Sequence, residues 1–273
     1  MRNILERNNV KVHGSGQAML FAHGFGCDQQ MWRYIIPAFE DKYKIILFDY
    51  VGSGKSDISA YNKEKYNDLN GYAADVIEII EAIGEQNVIF IGHSVSSMIG
   101  LLAAVKEPRL FDKMIFVGPS ARYINDNAYL GGFEKADILE LLETMDKNYI
   151  GWANFLAPAI MKNGEKPELG KELTDSFCST DPIIARQFAE VTFLSDNRED
   201  LYKLKKPALI LQCSNDLIAP LEVGYYLEKQ IPGSTLKIME ATGHCPHMSA
   251  PEETIKLISD YLLTFKQDES KLN

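Results

Sequence analysis

The chain has 273 residues, of which 46% are hydrophobic and 24% are charged, a composition that predicts a globular core and excludes a disordered chain. Its formal net charge of −10 at pH 7 disfavours nucleic acid and anionic membrane surfaces as partners. It has no apolar run of the ~18 residues that a membrane helix needs, and residues 1–7 lack the apolar segment of a signal peptide. We therefore expect a cytoplasmic protein without a membrane span.

Apolar strand-like runs alternate with helical patterns along most of the chain. After a predicted N-terminal hairpin, the runs lie at about residues 18–23, 44–49, 87–92, 113–118, 207–213 and 235–239. Two helices are predicted by apolar residues that share one face, namely Tyr72, Val76, Ile79, Ile80 and Ile83 in one, and Ile255, Ile258, Leu262 and Phe265 in the other. This alternation predicts a mostly parallel sheet with helices on both faces and functional groups at the carboxyl ends of its strands.

One apolar run ends in a serine between small residues. The run that begins at Val88 leads to Gly92-His93-Ser94-Val95-Ser96. This is typical of a nucleophile elbow, a tight strand-to-helix turn that projects a serine hydroxyl from the end of a parallel sheet. The usual pattern is G-x-S-x-G, and Ser96 departs from it by one hydroxymethyl group. The alternative is that Ser94 is only the N-cap of a helix after an ordinary strand.

The alternation breaks between Ala121 and Asp200, where helical patterns occur without a convincing strand. We interpret residues 121–200 as a helical cap inserted into a core formed by residues 1–120 and 201–273, with glycines and prolines dividing it into about four helices. An apolar pocket above Ser94 would be lined by the aromatic residues of the cap together with Leu217, and the candidates are Phe133, Trp152, Phe155, Phe188, Phe193 and Leu217. The alternative is that these aromatic rings hold the cap helices together.

Two more residues complete a possible catalytic triad. Asp216 and His244 each follow a strand-like run, so they are expected at the same edge of the sheet as Ser94. The chain order of serine, aspartate and histidine differs from the orders of two known protease triads and matches that of a third class of serine hydrolase. His247 is the alternative catalytic base.

The same edge offers backbone donors for an oxyanion. Glycines in His23-Gly24-Phe25-Gly26, which follows an early buried strand, let the backbone approach a ligand. We predict that the backbone N–H groups of Phe25 and Val95 form an oxyanion hole. A glycine-rich turn without this role is the alternative.

Three other patterns resemble metal or nucleotide sites, but the residues around them do not support either kind of site. Gly54-Lys55-Ser56 resembles the end of a phosphate-binding loop, but that motif requires glycine where Asp49 stands. His244 and His247 are spaced like metal ligands, but Pro246 breaks the segment. No C-x-x-C spacing joins the four cysteines, which argues against a zinc site or a redox pair, so we expect free thiols. We also expect no metal and no cofactor.

The whole chain resembles the α/β-hydrolase family that contains the bacterial RsbQ-type stress-response regulators and the plant karrikin and strigolactone receptors. The resemblance is carried by His23-Gly24-Phe25-Gly26-Cys27-Asp28-Gln29, Leu47-Phe48-Asp49-Tyr50-Val51-Gly52-Ser53-Gly54, Gly92-His93-Ser94-Val95-Ser96, Gly131-Gly132-Phe133-Glu134, Asp196-Asn197-Arg198 and Gly243-His244-Cys245-Pro246-His247. It implies an α/β fold with a mostly parallel eight-stranded sheet, an inserted V-shaped four-helix cap, a triad of Ser94, Asp216 and His244, and a small buried apolar pocket. The elbow with Ser96 is similar to the form found in the plant receptors. The Cys245-Pro246-His247-Met248 segment is more similar to the bacterial regulators.

Two functions are compatible with these residues. The first is hydrolysis of a small hydrophobic ester or lactone by acyl transfer through Ser94 to water. The second is a ligand sensor with slow or single-turnover hydrolysis, which the resemblance links to a stress pathway and a partner phosphatase.

Overall fold

The computed structural model describes residues 3–272 and contains one central sheet. Its strands are β1 Lys11–His13, β2 Gln17–Ala22, β3 Tyr43–Leu47, β4 Val88–His93, β5 Phe111–Val117, β6 Ala208–Asn215 and β7 Ser234–Thr242. Over the described residues the seven strands are ordered β1-β3-β2-β4-β5-β6-β7. β1 is antiparallel to β3, and all other neighbours are parallel.

All six predicted strand-like runs form strands, but two details differ from the prediction. The described residues form seven strands rather than eight, and β1 pairs with β3 instead of forming a hairpin with β2. Burial explains the second difference. β2 is buried at every position after its first residue, so it lies inside the sheet between β3 and β4, whereas the fully exposed β1 occupies the edge.

Helices cover both faces of the sheet. The α-helices of the described residues are α1 Ile4–Arg7, α2 Leu69–Ile83, α3 Val95–Lys106, α4 Lys135–Lys147, α5 Tyr149–Met161, α6 Pro167–Ser179, α7 Pro182–Phe193, α8 Leu221–Gln230, α9 Pro246–Ser249 and α10 Pro251–Leu272. Helices α2 and α3 pack in the core on one face, and α10 packs on the other. α2 begins after Asp68, whose side chain accepts a hydrogen bond from the Asn70 N–H, and it ends at Gly84 in the left-handed conformation.

Helices α4 to α7 fill the described segment between β5 and β6, and we call them the cap. They share a second apolar core with residues of the segments that follow strands β2, β5, β6 and β7. α7 begins with Pro182, and the Asp181 carboxylate accepts hydrogen bonds from two backbone N–H groups of its first turn. None of the helices within residues 3–272 combines the length and apolar character needed to cross a membrane. Residues 1, 2 and 273, which the predicted core includes, lie outside the described residues.

Candidate active site

Ser94 lies at the sharp turn between β4 and α3. Its backbone has φ 56° and ψ −126°, a conformation that L-residues rarely adopt, and its N–H donates to the Val117 carbonyl at 2.8 Å. A Cβ atom at Gly92 would lie 2.7 Å from the Ser96 carbonyl oxygen. The turn therefore requires the small residue that the motif predicts, and it has the strained geometry of a nucleophile elbow.

Ser96 has a specific set of contacts at the position where the usual motif has glycine. Its fully buried hydroxyl donates to the His23 carbonyl and lies 2.9 Å from the Tyr50 hydroxyl. The His23 ring donates from Nδ1 to the Gly24 carbonyl at 2.9 Å and accepts at Nε2 from the Tyr50 N–H at 3.2 Å. Burial lowers the pKa of His23, so the ring stays neutral in this arrangement. These hydrogen bonds fasten the elbow to the glycine-rich turn.

Ser94, His244 and Asp216 form one hydrogen-bonded chain. His244 Nε2 lies 2.7 Å from Ser94 Oγ, and His244 Nδ1 lies 2.7 Å from Asp216 Oδ2. The other carboxylate oxygen accepts from the N–H groups of Ile218 at 2.8 Å and Ala219 at 3.3 Å. All three side chains are buried. With a proton on Nδ1, the imidazole can accept the proton of the serine hydroxyl.

The backbone of His244 is held from two sides. Its N–H donates to the Ile160 carbonyl of α5 at 2.9 Å, and its carbonyl accepts from His93 Nε2 at 2.7 Å. Gly243 has φ 82°, and a Cβ there would lie 2.2 Å from the Met161 carbonyl oxygen. The loop that carries His244 therefore lies so close to the cap backbone that only glycine fits at this position.

His247 occupies a different environment from His244. Its ring is buried between Trp32, at 4.5 Å between centroids, and His93, at 4.4 Å. Neither ring nitrogen forms a hydrogen bond to any described residue. Burial lowers the pKa of His247 to about 3, with further lowering from His244 and Arg33. It is His244, and not His247, whose ring lies within hydrogen-bond distance of the Ser94 hydroxyl, so the geometry favours His244 as the base.

The Phe25 and Val95 backbones are close to Ser94. Within residues 3–272, neither N–H forms a hydrogen bond to another residue, and Val95 is the first residue of α3. A Cβ at Gly24 would lie 3.4 Å from the Ser94 Cβ, so the glycine-rich turn runs directly beside the nucleophile. Two free donors beside the serine fit the predicted oxyanion hole.

A small apolar cavity of about 30 Å³ opens onto Ser94. It is lined by Phe25, Cys27, His93, Ser94, Tyr123, Ile160, Leu173, Phe177, Thr192, Phe193, Ile218, His244 and Cys245. Of the six predicted pocket residues, Phe193 lies in this wall. Phe133, Trp152 and Phe188 form a layer behind it, since their rings contact those of Phe193 or Phe25 at centroid distances of 6.4, 6.1 and 5.7 Å respectively.

Two predicted pocket residues lie outside the cavity wall and are exposed. Phe155 of α5 is 78% exposed, and Leu217 is 49% exposed. At the second position, the Asp216 carboxylate accepts hydrogen bonds from the two backbone N–H groups beyond Leu217, and Ile218 lines the cavity.

Sequence reasoning missed Tyr123 near the nucleophile. Its hydroxyl lies 3.5 Å from Ser94 Oγ, and burial raises its pKa, so it remains a neutral hydrogen-bond donor. It lies in the loop after β5, where no periodic pattern marks the inward side. Cys27 and Cys245 also line the cavity as free thiols, and burial raises the pKa of both.

The phosphate-loop-like segment has a structural role. Asp49 stands where that motif needs glycine, and its carboxylate accepts from the N–H groups of Gln29 and Lys55, each at 2.9 Å. Asn9 Nδ2 donates to it at 2.7 Å. The carboxylate thus organises the turn from within. In the described part of the chain, no group of three or more His, Cys, Asp or Glu side chains is arranged to hold a metal ion.

Comparison with known proteins identifies the class to which this fold and site belong. The model of the alpha/beta hydrolase family matches residues 19–257. The karrikin insensitive 2 receptor CA of Petunia hybrida is 38% identical over 255 residues, covering 93% of this chain and 94% of that protein. Strigolactone esterase D14 of Arabidopsis thaliana is 35% identical over 258 residues, covering 94% and 96%. A hydrolase from Oleispira antarctica, known from its solved structure, is 44% identical with a TM-score of 0.93 and covers 96% of each chain.

The chain belongs to the α/β-hydrolase family. The predicted fold class, the resemblance to karrikin and strigolactone receptors and the prediction of an α/β-hydrolase enzyme are confirmed.

Proposed function

We propose that this protein is a serine hydrolase that transfers the acyl group of a small hydrophobic ester or lactone to water. The observation that carries the proposal is the buried hydrogen-bonded chain from Asp216 through His244 to Ser94, which ends at an apolar cavity. The division into a core, residues 1–120 and 201–273, and a cap, residues 121–200, is part of this proposal.

In the first half-reaction, Ser94 Oγ attacks the carbonyl carbon while its proton passes to His244 Nε2. Asp216 holds the imidazole tautomer and stabilises the imidazolium that forms. The N–H groups of Phe25 and Val95 donate to the oxyanion. The bond from the carbonyl carbon to the leaving oxygen then breaks, and His244 returns its proton to that oxygen.

In the second half-reaction, water attacks the acyl group on Ser94. His244 takes a proton from the water and then gives it to Ser94 Oγ as the acid leaves, which restores the enzyme. These residues carry every proton transfer, so the mechanism needs no cofactor.

The cavity wall supports a small, uncharged and hydrophobic substrate. Phe25, Phe177 and Phe193 supply aromatic surface, and Ile160 and Leu173 supply aliphatic surface. The name of the Arabidopsis relative, a strigolactone esterase, supports ester chemistry in this family.

The first test is Ser94→Ala. We expect it to abolish both hydrolysis of short aryl esters and small lactones and labelling by a serine-directed phosphonate. Circular dichroism and the thermal midpoint would show that the variant is folded. Undiminished labelling in a folded variant would remove Ser94 from the nucleophile role.

A second candidate function is ligand sensing, favoured by the relatives that are named receptors. In this case acylation of Ser94 would report the ligand, and a protein partner would receive the signal. A partner phosphatase in a stress pathway, implied by the resemblance to RsbQ-type regulators, belongs to this candidate.

Pre-steady-state kinetics separate the two candidates. Rapid, sustained turnover that is lost in Ser94→Ala supports the hydrolase. A single burst equal to the enzyme concentration, followed by almost no turnover, supports the sensor. The measurement uses aryl esters, whose released phenol is followed by absorbance in both phases.

A further inference from the structure

Helix α6 of the cap contacts the glycine-rich turn through one of its faces. The Ser176 hydroxyl donates to the Gly26 carbonyl at 2.7 Å. The Phe177 ring lies so close to Gly26 that a Cβ there would be 2.3 Å from it. One helical turn earlier, Glu172 accepts two hydrogen bonds from Arg33, at 2.5 and 2.6 Å. These three contacts pack α6 against the glycine-rich turn and against Arg33 farther along the same segment.

The Ser176 hydrogen bond reaches the Phe25 N–H through two peptide groups. Gly26 and Cys27 share one peptide, whose carbonyl accepts from Ser176 and whose N–H donates to the Gly24 carbonyl at 3.3 Å. That second carbonyl belongs to the peptide that carries the Phe25 N–H. A continuous chain of hydrogen bonds thus runs from the Ser176 hydroxyl to the Phe25 N–H.

Such a chain has two physical effects on the last donor. Each hydrogen bond polarises the next peptide, so the terminal N–H becomes a stronger donor. The chain also fixes the orientation of both peptides, and a preorganised donor stabilises developing charge without further reorganisation. Gly26, with φ 70°, lacks a side chain that would restrict this turn.

We propose that Ser176 is a positioning residue for hydrolysis, acting from the cap through Gly26 and Gly24 on the Phe25 N–H. The inference rests on the proposed function, because it assigns Phe25 to the oxyanion hole. Ser176 itself is absent from the cavity wall. Its effect falls on the charged transition state and leaves substrate binding almost unchanged.

The test compares Ser176→Ala with Ser176→Thr and Ser179→Ala. Loss of one neutral hydrogen bond is expected to lower kcat by about 3- to 10-fold in Ser176→Ala, with KM changed by less than about twofold. The threonine variant keeps a hydroxyl and should restore kcat. Ser179→Ala removes an exposed hydroxyl of the same helix that donates to the Ser176 backbone carbonyl rather than to the glycine-rich turn, and it should match the wild type.

A second readout separates positioning from general support of the fold. An aryl boronate, which becomes tetrahedral and anionic on Ser94, should bind Ser176→Ala more weakly by the same factor as the loss in kcat. The thermal midpoint of each variant is measured alongside. A loss of kcat without a loss of boronate affinity, or an equal loss in Ser179→Ala, would overturn the proposal.

Ser94→Ala serves as the reference for the proposed function. If it abolishes hydrolysis while Ser176→Ala behaves as the wild type, only the positioning role fails. If hydrolysis persists in Ser94→Ala, the proposed function itself fails.

Discussion

The core side and the cap side of the cavity are built from different interactions. On the core side, Ser94, Asp216 and His244 follow strands β4, β6 and β7 and are joined by hydrogen bonds of 2.7 Å. On the cap side, the wall consists mainly of apolar residues such as Phe177 and Phe193, together with Thr192. The core therefore holds atoms in the positions that chemistry needs, whereas the cap determines the shape of the space above them.

The two sides meet through backbone groups. The cap carbonyl of Ile160 accepts from the His244 N–H, and Ser176 donates to the Gly26 carbonyl. Both contacts reach loops of the candidate active site without placing a polar cap side chain on the substrate. This arrangement lets cap side chains vary in shape while the catalytic geometry is kept.

The largest expected effect is on the core side, from Asp216→Asn. One oxygen of this carboxylate accepts from two backbone N–H groups, so the amide oxygen of asparagine would take that position and its NH₂ would face His244 Nδ1. The imidazole would then carry its proton on Nε2 and could not accept the proton of Ser94. We expect kcat for aryl esters to fall by about 10⁴-fold, with the fold retained.

Asp200→Asn, at a surface ion pair with Lys203, is the matched control and should leave kcat unchanged. A folded Asp216→Asn variant that loses less than about tenfold in kcat would contradict this role for the carboxylate.

The same contrast explains which features could be predicted from the sequence. Strands and the residues directly after them are local in the chain, so the runs before Ser94, Asp216 and His244 placed all three at one edge of the sheet. The structure brings these side chains into contact. The pairing of β1 with β3 depends on which strand the sheet buries, and this is not a local property.

The cap wall was harder to predict because α5 is apolar around most of its circumference. Trp152 and Leu156 are buried whereas Ile150 and Phe155 are exposed, although all four are hydrophobic. Only docking of the helix on its neighbours selects the inward face. Tyr123 lies in a loop, where the sequence carries no periodic signal at all.

A smaller effect concerns His247, a buried histidine of the core that lies outside the candidate triad. Its pKa is about 3 in the native state, below the ordinary value of 6.5, so the unfolded chain binds the proton more tightly. This histidine therefore makes stability rise with pH between about 3 and 6.5 and contributes no further pH dependence above that window. His247→Phe should remove this contribution while retaining hydrolysis.

Urea denaturation at several pH values measures the effect. Between pH 6 and 4, the free energy of unfolding should fall less steeply in His247→Phe than in the wild type, by up to about 1.4 kcal/mol per pH unit. If the free energy of unfolding changed with pH equally in the wild type and in His247→Phe, the lowered pKa of His247 would be contradicted. Loss of hydrolysis in a folded His247→Phe variant would make His247 a candidate base again.

The smallest effects separate the two faces of the cap, through Phe193→Leu and Phe155→Leu. Phe193 is 4% exposed in the cavity wall, whereas Phe155 is 78% exposed on the outer surface. Shortening Phe193 adds room above Ser94, so we expect kcat/KM for a longer acyl ester relative to an acetyl ester to rise by about 10-fold. Phe155→Leu should leave this ratio and the thermal midpoint unchanged, because an exposed side chain contributes little to packing.

The ratio of the two kcat/KM values cancels changes in the amount of active enzyme, so it reports on cavity shape alone. If both variants shifted it equally, the cap would act on substrate choice through its mobility, and the division between an inner wall and an outer surface would be wrong.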